Sequence, residues 1–376
     1  MKVLFVIQGE GRGHLTQALA MAGMLRRNGH EIAEVLVGKS NFRTLPAFFS
    51  DGIKAPVKRF LSPNFLPSPS NRRVALLRSV WHNLFSLPEY MESIRFINRR
   101  IKESGADLVV NFYELLTGMA YLFYRQSVPQ VCVAHQYLFL HPDFVFPEGK
   151  GEAGLFFLRL FTRLTSLGAT ERLALSFAPM RDVASQKIRV VPPLLRPEVL
   201  SCKAKSGDYI HGYMLNAGFS KDVMSWHRQN PDIPLHFFWD KADAGDEYRV
   251  DDRLTFHKIN DSKFLSMLAG CRGYATTAGF ESVCEAMYLG KPVLMVPAHI
   301  EQDCNACDAV RHGAGIVAEE FDLSRLSEFA GRYVPNTAFR RWVDGCGNAV
   351  MAVLEEVVYR RRYTATVPAL RYGSYI

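Results

Sequence analysis

At 376 residues, 48% hydrophobic and 22% charged, the chain is too long for one ordinary core and too apolar to be disordered or fibrous. Its 45 Lys and Arg against 37 Asp and Glu leave a formal charge of +8, which favours anionic partners without choosing among nucleotide phosphates, nucleic acids and acidic membrane surfaces. The 7 cysteines are scattered and odd in number, as expected of reduced thiols in a cytoplasmic protein; Cys304 and Cys307 have no second pair to complete a zinc site, so no metal is expected.

The chain opens on a short apolar run, Lys2–Gln8, that leads into glycines and reads as a first strand rather than a signal peptide. No stretch approaches the roughly 18 unbroken apolar residues of a membrane span. The loop Gly9-Glu10-Gly11-Arg12-Gly13-His14 follows, then a helical pattern from about Leu15 to Arg27 that stops at Asn28-Gly29, and a second strand at Glu31–Val37. The loop lacks the G-x-G-x-x-G spacing of a dinucleotide site, and Val37-Gly38-Lys39 offers no acidic residue for a ribose. A polar, proline-rich piece from Ser62 to Asn71 and a helical stretch from Arg72 to Arg100 read as an insertion above the strand ends, where open α/β sheets bind ligands.

Punctuated apolar runs at Leu108–Phe112 and Gln130–Ala134 have the character of buried parallel strands. At their ends stand Asn111-Phe112-Tyr113-Glu114 and His135-Gln136. The apolar stretch Gly154–Leu164 is helical, with Arg159 and Arg163 on one face; it is read first as a buried helix and second as a membrane-surface helix. Prolines 192, 193 and 197 and the polar run Lys203–Gly207 mark a boundary. Beyond it the alternation restarts, with strands at Tyr209–Asn216, Leu235–Trp239, Leu254–His257, Gly273–Thr276 and Val293–Val296. The pattern therefore predicts an α/β protein of two Rossmann-like, doubly wound domains facing a cleft: residues 1–195, residues 206–349, and a C-terminal helix and basic tail over 350–376. Basic and aromatic residues in 72–100 and Tyr359–Tyr363 come with no nucleic-acid motif and are read as solvated faces, so no nucleic acid is expected.

The most informative segment runs from Thr276 to Pro297: strand, small-residue turn, helix, glycine stop, strand. Gly279 lets backbone approach a ligand, and the helix from about Phe280 exposes unpaired amides that attract an anion. Glu281 and Glu285, four residues apart, share a helix face and are suited to ribose or sugar hydroxyls. The order Gly279, Glu285-Ala286, Gly290-Lys291-Pro292-Val293, Pro297, Glu301-Gln302, Asn305 resembles the donor motif of inverting GT-B glycosyltransferases, among them the peptidoglycan N-acetylglucosaminyltransferase and natural-product glucosyltransferases.

That resemblance implies a nucleotide diphosphate held by the turn and helix N-terminus at Thr276, Thr277, Gly279 and Phe280, with the donor also against Glu281, ribose hydroxyls on Glu285, and the transferred sugar on Glu301 and Gln302. The loop around Ile259, in Leu254–Asn260, would flank the base, with UDP favoured by family frequency. Two departures stand out: Thr277-Ala278 and Phe280-Glu281 replace the His and Trp-Asn of many glucosyltransferases. Retaining enzymes usually carry a glutamate where Thr277 stands, so inversion is implied. On the acceptor side the resemblance places the glycine loop with Glu10, Gly11, Arg12 and Gly13, the base His14, and His135. An Asp is common on the strand that ends here in Asn111, so a second acid role falls to Glu114.

The expected activity is transfer of a sugar from a nucleotide-sugar donor to a hydroxyl acceptor, lipid-linked or glycan, with no cofactor and no metal. Peripheral contact with the inner face of a membrane is a further expectation. The competing readings are a UDP-sugar 2-epimerase of the same fold and a non-catalytic sugar-nucleotide- or nucleic-acid-binding protein.

Overall fold

The computed structural model describes residues 1–39, 45–63, 87–239 and 245–366. The first sheet has seven strands, β1 (Lys2–Gln8), β2 (Glu31–Lys39), β3 (Val57–Leu61), β4 (Leu108–Phe112), β5 (Gln130–Ala134), β6 (Glu171–Leu175) and β7 (Ile188–Val191), in the order β3-β2-β1-β4-β5-β6-β7. All its pairings are parallel. The second sheet has β8 (Ile210–Met214), β9 (Leu235–Trp239), β10 (Glu247–Arg249), β11 (Leu254–Lys258), β12 (Gly273–Thr276), β13 (Val293–Met295) and β14 (Gly315–Val317), ordered β10-β11-β9-β8-β12-β13-β14. Only β10 pairs antiparallel, at the edge.

The apolar runs explain the layering. Val3 to Ile7 of β1 have no exposed surface, and helices on both faces cover them. A strand buried on both faces must be apolar throughout, as parallel sheets require. In each sheet the connection reverses beside the first strand, between β1 and β4 and between β8 and β12. A crevice opens there at the carboxyl ends of the strands. The glycine loop and Tyr113-Glu114 lie at the first crevice, and the turn Thr277–Gly279 at the second.

The C-terminal helix Cys346–Thr366 returns to the first sheet's side of the molecule. Glu355 lies against His30, Glu356 pairs with Arg189, and Arg361 and Arg362 bind the Asp107 carbonyl and carboxylate. The basic run thus serves partly as intramolecular ion pairs, while Tyr359 and Tyr363 are exposed. Of the expected insertion, residues 64–86 lie outside the described residues, as does 367–376 of the tail; helix Leu87–Glu103 covers the rest of the Arg-rich stretch.

The helix Glu152–Thr165 departs from its first reading as a buried helix. Leu155, Leu158 and Phe161 pack inward, but Phe156 and Phe157 are 60% and 65% exposed. Three apolar positions suffice to dock one face, which leaves the neighbouring phenylalanines outward. Among the described residues no helix is long and apolar enough to cross a membrane.

Under the second sheet three histidines meet. His236 Nδ1 lies 3.1 Å from His257 Nε2, and His211, fully buried, stacks on Tyr274 at 5.3 Å. Burial, each other's charge and the Lys263 ammonium oppose protonation, against a weaker pull from Glu247; His257 is lowered to about 4, and His211 and His236 lie below the ordinary value. The folded state therefore resists protons that the unfolded chain accepts near pH 6.5, so stability falls as pH drops from about 6.5 towards 4. The urea midpoint is expected to fall between pH 7 and pH 5, and His236→Gln to flatten that fall; a pH-independent wild-type midpoint would refute it.

Candidate active site

The two crevices face each other, and side chains bridge them. Gln17, on helix Arg12–Arg27, donates from Nε2 to Glu281 Oε1 at 2.5 Å. Gln136 Nε2 donates to Glu301 Oε1 at 2.9 Å. The His135 ring stacks on Phe280 at 3.9 Å with 14° between planes. Lys150 pairs with Asp303 at 2.8 Å. The cleft expected between the two sheets is thus present and closed, and most of the residues expected on either side of it are brought together.

His14 sits in the first turn of its helix. Its Nδ1 lies 3.2 Å from Gln17 Oε1, and its ring stacks on Tyr113 at 5.5 Å. Because the Gln17 nitrogen is committed to Glu281, its amide oxygen faces His14, so Nδ1 carries the hydrogen and Nε2 keeps its lone pair. Burial holds the imidazole below its ordinary pKa, against weaker opposing effects of the Gln17 bond and the Glu301 charge. A neutral imidazole with a free Nε2, within reach of the Glu301 field, is a proton acceptor. Gly11 has no atom within 4 Å of where a Cβ would stand, whereas a Cβ on Gly13 would lie 3.3 Å from Glu281 Cγ. Arg12 stacks over Phe48 at 5.4 Å.

The opposite wall is the turn from Thr276 to Gly279 and the helix Phe280–Tyr288, whose N-cap Gly279 provides no side-chain hydrogen bond. Its first amides are left for a ligand. Ala278 adopts φ +61°, a left-handed conformation rare outside glycine, and its carbonyl accepts from Asn305 Nδ2 at 3.3 Å. Gly279 has an ordinary φ of −68°, and a Cβ there would meet only Ser282 Oγ at 3.7 Å. Nothing among the described residues requires glycine at that position, which fits a surface kept bare for a ligand. Several buried polar atoms here have no partner among the described residues: Thr277 Oγ1, Glu281 Oε2, Asn305 Oδ1 and Gln136 Oε1. Leaving such atoms unpaired is costly, and a bound ligand would relieve that cost. Burial pushes the Glu281 carboxyl up to about 8, so it is protonated at neutral pH.

Glu285 is placed differently from a bare ribose acceptor. Arg196, from the segment between the sheets, holds its carboxylate with two bonds, Nε to Oε1 at 2.8 Å and Nη2 to Oε2 at 3.0 Å, and binds Asp261 with Nη1. Both partners are buried, Arg196 at 6% exposed and Glu285 at 3%. Each carboxylate oxygen retains a second lone pair, so the arrangement orients Glu285 without saturating it. Gln302 Oε1 accepts from Ala298 N at 2.9 Å and shapes the loop after β13. Ile259 is half-buried against the core beside Asn260, the cap of helix Asp261–Gly270.

Two expected acceptor-side groups take structural positions. Glu114 caps helix Leu115–Tyr124, accepting from Leu116 N at 3.1 Å and from Ser62 at 2.7 Å, with burial pushing its carboxyl up to about 7. Its Oε2 presses on Gly38, where a Cβ would clash at 2.2 Å. The side chain from this strand end that meets His14 is Tyr113, at φ +60°. His135 Nδ1 donates to Leu175 O at 2.7 Å, and its Nε2 lies 3.9 Å from the Asp308 carboxylate, wedged between the two halves. Glu10 lies on the glycine loop near enough to Glu114 for its charge to be felt there. Gln17 and Arg196 carry no mark in the sequence pattern, and Tyr113 and Gln136 are named there only within the strand-end runs Asn111–Glu114 and His135-Gln136.

The family model described as glycosyl transferase family 1 matches residues 1–335. No curated protein sequence matches the chain. Among solved structures, the glycotransferase of kitacinnamycin superposes with TM-score 0.64 at 16% identity, covering 95% of this chain and 99% of that one. Arabidopsis thaliana UGT89C1 complexed with UDP-L-rhamnose gives TM-score 0.62 at 15% identity, covering 96% and 98%. Phytolacca americana UGT2 complexed with UDP-2fluoro-glucose and pterostilbene gives 0.60 at 14%, covering 96% and 99%. At these identities the likeness is one of fold, two facing seven-stranded sheets of the GT-B type. The chain belongs to glycosyl transferase family 1 and is a glycosyltransferase.

Proposed function

We propose that the enzyme transfers a sugar from a nucleoside diphosphate, UDP first among the candidates, to an acceptor hydroxyl with inversion and without a metal ion. The observation that carries this reading is the group of partnerless buried polar atoms, Thr277 Oγ1, Glu281 Oε2 and Asn305 Oδ1, around an uncapped helix end that faces His14. His14 Nε2 takes the proton as the acceptor oxygen attacks the anomeric carbon. The bond from that carbon to the diphosphate breaks on the other face, where helix amides and the protonated Glu281 offset the charge a metal would otherwise meet. Glu301 and Gln302 hold the sugar, Glu285 the ribose, and the Ile259 loop the base. Glu10, Gly11 and Arg12 border the acceptor.

The similar structures crystallised with UDP-L-rhamnose and UDP-2fluoro-glucose support the choice of UDP. The exposed Phe156, Phe157 and Leu160 beside Arg159 and Arg163 support peripheral contact with an anionic membrane and a lipid-linked acceptor. Free cysteines support a cytoplasmic site.

The test is incubation of the purified protein with a panel of sugar nucleotides and hydroxyl acceptors, with and without EDTA, and assignment of product anomers by NMR. One inverted glycoside, formed equally with EDTA, is the expected result. Retention or EDTA sensitivity would overturn the corresponding part. Epimerisation of a donor with no acceptor present would point to a 2-epimerase instead.

A further inference from the structure

We infer that Gln17 and Glu281 are positioning residues that together hold His14 in its base form, and that they do so only while the cleft is closed. This rests on the reading of His14 as the base. No carboxylate bonds His14 Nδ1 among the described residues; the group that does is the Gln17 amide, at 3.2 Å. An amide alone is a poor selector of tautomer, because it offers an oxygen or a nitrogen after one flip. The amide is held with its oxygen towards His14 by a bond from across the cleft, Gln17 Nε2 to Glu281 Oε1 at 2.5 Å. Gln17 is 3% exposed, so water does not compete for either bond. Gly13 completes the device: a side chain there would crowd Glu281 Cγ, 3.3 Å from the Cβ position, and hold the helix end away.

Coupling to closure follows from topology. Gln17 and His14 belong to one wall and Glu281 to the other, so opening the cleft breaks the bond that orients the amide and frees it to rotate. The base is then set only when the helix end that carries the donor is in place, which guards the donor against hydrolysis in the open form. Glu281 meets Gln17 on one side and feels the charges of Glu285 and Arg196 on the other; the thiols of Cys284 and Cys346 are its remaining titratable neighbours. His14 meets Gln17, the Tyr113 ring and the Glu301 charge. With Oε1 engaged by Gln17, the proton of the neutral carboxyl sits on Oε2. Loss of that proton near pH 8 places a negative charge beside the diphosphate site and weakens donor binding.

Three variants of the full chain test this: Gln17→Met, which keeps the packing volume, Glu281→Gln, which keeps the acceptor oxygen and neutrality, and Gly13→Ala. The readouts are imidazole nitrogen shifts of His14, assigned by their loss in His14→Asn, thermal melting, and kcat and KM against pH. In wild type His14 is expected as the Nδ1–H tautomer. Gln17→Met should return it to a mixture and lower kcat roughly 10- to 100-fold with donor KM within about twofold. Glu281→Gln should abolish the alkaline fall in kcat/KM near pH 8. Gly13→Ala should mimic Gln17→Met without touching either polar group. An unchanged tautomer in Gln17→Met, or an alkaline limb retained in Glu281→Gln, would overturn the inference. Absence of any sugar transfer by wild type would instead strike at the proposed function, while the tautomer measurement still decides the positioning.

Discussion

Replacing His14 with alanine is expected to lower kcat by ~10²–10⁴-fold, the range lost when a positioned general base is removed. The donor KM should stay within about twofold, because the base acts on the acceptor proton and not on the nucleotide, so kcat and kcat/KM fall together. The effect should be chemical rather than structural. His14 contributes one ring stack on Tyr113 and one bond to Gln17. Such a stack contributes about 0.5–1.5 kcal/mol, so the melting temperature should move by only a few degrees.

The pH profile supplies the independent check. Burial keeps the imidazole below its ordinary value of 6.5, so the base form persists as pH falls through 6.5 and is lost only further down. Wild-type kcat/KM should therefore show an acid limb below pH 6.5, and His14→Ala should lack it. A loss smaller than tenfold, or an acid limb that survives the substitution, would remove His14 from the mechanism.

Much of the frame could be read in the chain because parallel strands buried on both faces are continuous apolar runs. β1, β4, β5, β9 and β12 fall where such runs predict them. Strands that break the rule escaped: β6 begins with Glu171-Arg172, β3 carries Lys58 and Arg59, and β10 is an exposed edge strand, Glu247–Arg249. Their charges are tolerated at sheet ends and edges, where Arg172 reaches Ser166 and Lys58 reaches Glu34.

In the site, turn and helix signals marked Thr276–Glu285, while Glu301-Gln302 and His14 were marked by the resemblance to GT-B glycosyltransferases. What could not be read is pairing over distance. Gln17 looks like an ordinary helix residue, and only its spacing of three from His14 hints that the two share a face; its second partner is 264 residues away. Glu114 stands at a strand end where an acid is expected, and the same position also suits a helix cap, which the bonds to Leu116 N and Ser62 show it to be.

Arg196 gives the second large effect, on stability. It lies between Pro193 and Pro197, in a stretch that composition marks as linker, yet it is 6% exposed and binds Glu285 through two nitrogens. A buried pair of this kind adds little net stability, but removing one partner strands the other charge, at a cost of about 3–5 kcal/mol. Arg196→Met should therefore lower stability by about that amount and move the melting transition down by about 6–20 °C, at the 2–4 °C per kcal/mol typical of domains of 150–250 residues. Asp261 is more exposed than Glu285 and loses less.

The double variant Arg196→Met, Glu285→Gln should recover most of the loss, because the cost lies in the stranded carboxylate and not in the missing guanidinium. The sign with pH follows. Burial raises the Glu285 carboxyl, and without Arg196 nothing opposes that, so the folded variant favours the protonated form. A folded-state pKa raised above the unfolded value stabilises at low pH and loses that stabilisation as pH rises through the folded value. The deficit of Arg196→Met relative to wild type should thus be smaller at pH 5 than at pH 8. Referring it to wild type at each pH cancels the opposing fall caused by the histidines. A deficit that is constant with pH, or a double variant no more stable than Arg196→Met, would show that Arg196 stabilises by packing its stem between the sheets rather than by holding the Glu285 charge.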